Sequence, residues 1–166
     1  MADATPLKFR CYGREAALAI EPVTAADGVT RTVNIDAARR VEARRYDWAD
    51  KLVVQVTGRE LADVLAALLG LRARVECLHH GPRRDKGYRI EHRPAGLAIS
   101  VFAAGRGLRR VGLGQGERVA LAALLLGQLR RNQAALDDAA LVRVLELCYA
   151  APPSAAAAGP PPSPAD

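Results

Sequence analysis

Pro6-Leu7-Lys8-Phe9-Arg10-Cys11-Tyr12 is the stretch that decides the fold, because apolar and polar side chains alternate along it. A period of two is typical of a β-strand that has one face in a core and the other in solvent. The apolar residues form the core face, and two cations and an aromatic ring form the other. The sequence therefore predicts a sheet whose outer surface carries Lys8, Arg10 and Tyr12.

Similar patterns continue along the chain in an order that occurs twice, four strands followed by one helix. The patterns of the first half predict strands at 6–12, 15–23, 30–41 and 51–56, then a helix at 59–70. Those of the second half predict strands at 74–78, 87–93, 97–102 and 108–111, then a helix at 115–131. Runs of strands that each end in a helix predict an α+β fold built from a repeated ββββα unit.

Residues 6–131 thus form the predicted main domain, and the sequence on either side of it has a different character. An additional amphipathic helix is predicted over 136–150, because Asp137 or Asp138 would cap it and apolar residues follow at helical spacing. The Pro- and Ala-rich tail at 151–166 has few bulky apolar side chains, so it is expected to be disordered. Residues 1–5 are expected to be a flexible N-terminus.

Composition and motifs narrow the class of function. The chain carries 24 Lys and Arg against 18 Asp and Glu, a net charge of +6. Basic proteins commonly bind polyanions, because neutralised phosphates release counterions, although a charged surface can also serve solubility alone. The sequence shows no catalytic constellation, zinc-site spacing or apolar run long enough to cross a bilayer. We therefore expect a cytoplasmic, nucleoid-associated protein that is not an enzyme and uses no cofactor, metal, membrane or small-molecule substrate.

The three cysteines, Cys11, Cys77 and Cys148, lie far apart in the sequence and form no CxxC motif. They are expected to be free, buried thiols in a reducing compartment.

Arg44-Arg45-Tyr46-Asp47-Trp48-Ala49-Asp50-Lys51 is the most informative stretch for function. Proteins that bind single strands combine cations that follow the backbone with aromatic rings that stack on unpaired bases. This stretch interleaves both, and it contains the only tryptophan of the chain. The alternative is that Trp48 anchors a loop to the core, since tryptophan is mostly buried in proteins.

A comparable mixture of cations and a ring recurs in the second half, at Lys86, Tyr88, Arg89 and Arg93. An ordinary solvated strand face would explain each set by itself. The presence of the mixture in both halves favours a binding surface. Arg14, which follows the first strand, would add to it.

Several stretches between residues 7 and 131, in their joint order and spacing, resemble the Whirly family of single-stranded DNA-binding proteins, as a bacterial-type homologue would. Among them, 60–69 lie where the family's first helix lies, and 88–102 resemble its second-half hairpin. Residues 13–20, Gly-Arg-Glu-Ala-Ala-Leu-Ala-Ile, look like the family's Lys-Gly-Lys-Ala-Ala-Leu-Ser-Val stretch. Residues 44–51 are similar to its Arg-Lys-Tyr-Asp-Trp segment, and 75–80 look like its Glu-Phe-Phe-His-Asp strand end. In this match Glu15 stands where the family has lysine, so Arg14 is the candidate cation of that turn.

The resemblance implies two roughly perpendicular four-stranded antiparallel sheets with helices, and four protomers that pack through their helices. It also implies that single strands run along the sheets. The expected nucleic-acid contacts are then cations for phosphates, namely Lys8, Arg10, Arg14, Arg44, Arg45, Lys51, Lys86, Arg89 and Arg93. The rings expected to stack on bases are Tyr12, Tyr46, Trp48 and Tyr88.

The expected function is therefore sequence-tolerant binding of single-stranded DNA by a homo-oligomer, a tetramer by the resemblance, in genome maintenance or transcription regulation. Two alternatives remain open. The ligand could be single-stranded or guide-type RNA, because nothing in the sequence identifies a group that reads a 2′-hydroxyl. The chain could also be a protein-interaction scaffold that recruits a partner through its C-terminal helix.

Overall fold

The computed structural model describes residues 8–150. The first sheet and the helix after it consist of β1 (Phe9–Tyr12), β2 (Ala16–Thr24), β3 (Arg31–Glu42), β4 (Arg45–Gln55) and α1 (Leu61–Leu68). The second sheet and its helix consist of β5 (Arg74–His80), β6 (Lys86–Arg93), β7 (Gly96–Ala103), β8 (Gly107–Leu113) and α2 (Gln115–Asn132). A third helix, α3 (Asp138–Tyr149), follows. The α+β fold with a repeated ββββα unit is confirmed, while the predictions for residues 1–5 and 151–166 lie outside the described residues.

Each sheet is an antiparallel meander in which the strands pair in sequence order. Successive side chains of a strand point to opposite faces, so the pairing register decides which residues share a face. On the first sheet, the buried face includes the cross-strand rows Phe9–Ile20–Ile35–Val54 and Cys11–Leu18–Ala37–Leu52. The residues between those rows, among them Arg10, lie on the outer face, as the alternation predicts.

The helices close the core that the buried faces of both sheets form. Leu61 and Leu65 of α1 and Leu121 and Leu125 of α2 are fully buried in one apolar cluster with both sheets. Arg118 of α2 donates a hydrogen bond to the Leu68 carbonyl at the end of α1, which ties the two helices together. Helix α3 buries its own apolar stripe against this pair through Leu141 and Leu145.

Local polar contacts explain where the helices begin. The Thr57 hydroxyl accepts a hydrogen bond from the Glu60 amide at 3.3 Å, and the Glu60 carboxylate accepts one from the Thr57 amide at 2.9 Å. This reciprocal pair is a capping box ahead of α1. Asp137 accepts a hydrogen bond from the Ala140 amide at 2.8 Å and so caps α3. Both caps agree with the sequence pattern.

Two expectations need correction. The fourth strand begins at Arg45, six residues before the predicted start, because inserted residues within that strand break its alternation. The cysteines are free, but only Cys11 is buried, while Cys77 is partly buried and Cys148 is exposed on α3. Within residues 8–150, no helix is long and apolar enough to cross a membrane.

Candidate nucleic-acid interface

A groove of about 310 Å³ lies on the outer face of the first sheet, and predicted contact residues line most of it. We call this cavity the sheet groove, and its lining consists of Lys8, Arg10, Tyr12, Ala19, Asp36, Trp48 and Lys51. The floor is low because Ala19, the partner of Arg10 on β2, has a small side chain. The groove thus places cations and two aromatic rings around one space.

The aromatic rings line the groove from two different strands. Tyr12, at the end of β1, leaves 56 % of its surface exposed. Its ring centroid is 5.6 Å from that of Tyr46, and the planes are tilted by 43°. The Tyr46 hydroxyl donates a 2.7 Å hydrogen bond to the Gly13 carbonyl, so this half-buried ring supports Tyr12 from the side. Tyr12 and the half-buried Trp48 are therefore the rings that a base could reach within the groove.

An insertion in β4 brings Trp48 and Lys51 to the groove. Ala37 pairs with Leu52 and Arg39 pairs with Asp47, so a single residue of β3 faces four residues of β4. Such a bulge leaves its residues out of the ladder and redirects their side chains. Trp48 and Lys51 are the first and last of the four, and both line the groove.

The second sheet holds this insertion through Asp50. Arg109 of β8 is buried, and its Nη1 donates to the backbone carbonyls of Ala37 and Asp50, at 2.7 Å each. Arg106, in the turn before β8, lies 2.6 Å from the Asp50 carboxylate and lowers the pKa of that group by hydrogen bonding. Two arginines therefore fix the segment between Trp48 and Lys51.

Ion pairs reduce the free positive charge of the groove. Lys8 Nζ is 3.0 Å from the Glu21 carboxylate, and Lys51 Nζ is 2.5 Å from that of Asp36. Arg10 has no acidic partner within residues 8–150, so its guanidinium is the groove cation available to a phosphate without loss of an ion pair.

The predicted cations Arg14, Arg44 and Arg45 lie outside the groove, around the β1–β2 turn and the β3–β4 turn. Arg44 occupies the left-handed region at φ +60° in the β3–β4 turn, and Arg45 forms a 3.3 Å ion pair with Glu42. The Arg14 carbonyl accepts a 3.1 Å hydrogen bond from Arg40, which brings the two turns together. These side chains form an exposed basic cluster at that end of the first sheet.

Two of the predicted cations of β6, Arg89 and Arg93, lie on the outer face of the second sheet, and acidic neighbours neutralise them. Arg89 Nη2 is 2.6 Å from the Glu76 carboxylate, and Arg93 forms a 2.8 Å ion pair with Glu91. The hydrogen bond from Arg89 lowers the pKa of Glu76. This surface is therefore a weaker candidate for phosphate binding than the first sheet.

The stacking role predicted for Tyr88 is wrong, because its side chain is completely buried. Tyr88 lies on the core face of the second sheet, and its hydroxyl donates a 3.1 Å hydrogen bond to Glu60. Burial raises its pKa. Lys86 is also turned away from the outer face, since its Nζ donates a 3.2 Å hydrogen bond to the Val53 carbonyl of β4. These two residues join elements of the fold.

The sequence patterns did not identify three residues that shape the groove, namely Asp36, Asp50 and Arg109. Asp36 was detectable, since it alternates with core residues of the third strand and must share the outer face with Arg10. Asp50 and Arg109 meet only through the packing of the two sheets, for which no local pattern gives a signal. Within residues 8–150 there is no cluster of three His, Cys, Asp or Glu side chains that could hold a metal ion.

Comparison with solved structures gives clear matches to the fold, although no protein-family model and no curated protein sequence matches the chain. The plant transcriptional regulator PBF-2 superposes with a TM-score of 0.62 at 19 % identity, over 81 % of this chain and 86 % of that one. WHY3 of Arabidopsis thaliana gives 0.59 at 20 % identity, over 78 % and 90 %. WHY1 of the same plant gives 0.57 at 18 % identity, over 89 % and 96 %. The protein therefore has the Whirly fold, as the resemblance of its sequence to that family implied.

Proposed function

We propose that the protein binds single-stranded DNA with little sequence specificity, through the sheet groove and the basic cluster at the end of the first sheet. The observation that carries this proposal is the convergence of Arg10, Tyr12 and Trp48 on one groove. Cations that neutralise the backbone and rings that stack on bases are the two elements that sequence-tolerant binders combine. Paired bases offer no free ring face, so a duplex should bind more weakly.

Fluorescence anisotropy with a labelled oligonucleotide tests this function. The single strand should bind more tightly than the same sequence as a duplex, at two salt concentrations. Its affinity should fall with salt by about 0.7 logarithmic units per tenfold rise for each neutralised phosphate. Equally weak binding of single and double strands would contradict the proposal.

We expect the active protein to be a homo-oligomer, with a tetramer as the expected size. Val119 on α2 and Leu147 on α3 each leave 60 % of their surface exposed, and exposed apolar side chains on neighbouring helices favour contact with another copy. Light scattering should give a mass above that of one chain, and Val119→Lys with Leu147→Lys should lower it. Val29→Lys, at an apolar site in the β2–β3 turn that is 75 % exposed, is the control. A monomeric parent protein would overturn this part.

RNA is the alternative ligand, and competition between DNA and RNA of the same sequence distinguishes the two. We further propose that the protein acts without catalysis in the cytoplasm, on the nucleoid, in genome maintenance or transcription regulation. Incubation with labelled oligonucleotides should leave them intact, and tagged protein should co-localise with DNA. Cleavage of the strand or a location away from the nucleoid would contradict these two points.

A further inference from the structure

Asp36 is an unusual residue to find in a groove that is to receive a polyanion. Its side chain is only 4 % exposed, on the outer face of β3, in the cross-strand row Arg10–Ala19–Asp36–Val53. Burial of a carboxylate is unfavourable unless hydrogen bonds or an opposite charge compensate it. Lys51 provides that compensation at one oxygen, Oδ2, at 2.5 Å.

The other oxygen, Oδ1, remains available to a ligand. Among residues 8–150, Lys51 is the one hydrogen-bond partner of the Asp36 side chain, and no occluded side-chain oxygen or nitrogen lacks a partner. Since Oδ1 has no partner of its own, it must keep some contact with the space of the groove. Asp36 is indeed one of the residues that line that space.

An ionised carboxylate oxygen accepts hydrogen bonds and donates none. Cytosine, adenine and guanine each offer an exocyclic amino donor, whereas the corresponding groups of thymine and uracil are carbonyl oxygens. The single ring N–H of thymine or uracil lies between two such oxygens, which the carboxylate repels. Asp36 should therefore favour amino-bearing bases.

We infer that Asp36 reads one nucleotide of the bound strand and selects a base that carries an exocyclic amino group. This inference rests on the proposed function, and it refines that function at a single position of the strand. Tyr12 and Trp48 would hold the base within the groove, and Lys51 would fix the orientation of the carboxylate. The rest of the strand would be bound without regard to sequence.

Cytosine and uracil give the sharpest test, because they differ in the group at position 4, an amino group in one and a carbonyl oxygen in the other. The probes are a short deoxyuridine oligonucleotide and the same oligonucleotide with one central deoxycytidine. The wild-type protein should bind the second about fivefold more tightly, as expected for the typical net contribution of one hydrogen bond. In Asp36→Asn the preference should fall below about twofold, since an amide presents both a donor and an acceptor.

Glu21→Gln is the matched control. Glu21 is a carboxylate on the same face of the first sheet and is paired with Lys8, but it does not line the groove. Both variants remove one negative charge and should raise the affinity for any strand by a similar factor. The ratio between the two oligonucleotides is therefore the diagnostic quantity, and it should remain near fivefold in Glu21→Gln.

A chemically modified oligonucleotide tests the same inference with wild-type protein, so its result does not depend on how a variant folds. An oligonucleotide whose cytosine carries two methyl groups on the amino nitrogen has lost both donors, and wild-type protein should bind it no better than deoxyuridine. Equal affinity of wild-type protein for the uridine and cytidine probes, or a preference that survives in Asp36→Asn, would overturn base reading while single-strand binding stands. Failure of every probe to bind would overturn the proposed function itself.

Discussion

Arg109 of the second sheet binds Asp50 of the first through two contacts, from Nη1 to the backbone carbonyl at 2.7 Å and from Nη2 to the carboxylate at 3.2 Å. Asp50 belongs to the insertion in β4 that begins at Trp48. The position of the only tryptophan in the groove thus depends on a residue from the other half of the chain.

Replacement of Arg109 by lysine should loosen the insertion, because one ammonium group cannot serve two carbonyls and a carboxylate in the same geometry. We expect a loss of about 1–3 kcal/mol in the free energy of unfolding, from buried acceptors left unpaired. Tryptophan emission should shift to longer wavelength as Trp48 becomes more exposed, and the affinity for a single strand should fall. Urea titration, the emission spectrum and anisotropy measure the three effects.

Arg130→Lys is the control for that substitution, since Arg130 forms an exposed ion pair with Asp138 on the helices, where such pairs contribute little. It should leave all three readouts unchanged. Unchanged emission and affinity in Arg109→Lys would show that the arginine stabilises the fold without positioning the groove.

Removal of the rings should separate binding from folding. Tyr12→Ala and Trp48→Ala should each weaken single-strand binding by about 1–3 kcal/mol, the value of one stacked base, as measured by anisotropy. Tyr88→Phe should leave binding unchanged, because that ring is buried, and should cost about 1 kcal/mol of stability through the lost hydrogen bond to Glu60. Unchanged binding in both Tyr12→Ala and Trp48→Ala would place the interface away from the groove.

The charge of Arg10 should be visible in the salt dependence of binding. Arg10→Gln should reduce the slope of log affinity against log salt by about 0.7 if the guanidinium neutralises one phosphate. Arg143→Gln is the matched substitution, since Arg143 lies on α3 and is paired with Glu146. An equal slope for wild type and Arg10→Gln would place the strand away from the groove.

The three cysteines should differ in reactivity. Burial, together with a hydrogen bond to Glu117, raises the pKa of Cys11 to about 12, and burial raises that of Cys77 to about 11. The thiolate is the reactive form, so Cys148, which is exposed, should react first with an aromatic disulfide reagent at pH 8. Mass spectrometry of the modified protein identifies the order, and early modification of Cys11 would contradict its burial.

The raised pKa of Cys11 also makes the stability of the fold depend on pH. A thiol whose pKa is higher in the folded state than the ordinary value of 9.0 favours folding while it stays protonated. Its contribution is present below pH 9 and is lost as the pH rises from about 9 to about 12. Cys11→Ala should therefore lose less stability than wild type over that interval in chemical denaturation. An identical pH profile for the two proteins would show that Cys11 is not protected in this way.

Much of the fold was predictable from alternation and capping residues, because those signals are local. The strand faces around Phe9 and the capping box at Thr57 are examples. The prediction for Tyr88 failed because it grouped Tyr88 with Arg89 and Arg93 without regard to alternation, which places Tyr88 opposite Arg89 and on the same face as the apolar Ile90. Prediction of the groove needs both the alternation along each strand and the pairing register between strands. Arg10 and Tyr12 were found from period two, whereas the approach of Trp48 depends on an insertion whose length only the pairing register reveals.

The contact of Lys86 with β4 also bears on whether another molecule can add a strand to the first sheet. β4 is the outermost strand of its sheet, and an exposed edge strand is a template for the addition of a strand from another molecule. The carbonyl of Val53 on that strand already accepts a hydrogen bond from Lys86. A foreign strand would have to displace this cation, so we expect this part of the edge to resist the addition of a strand.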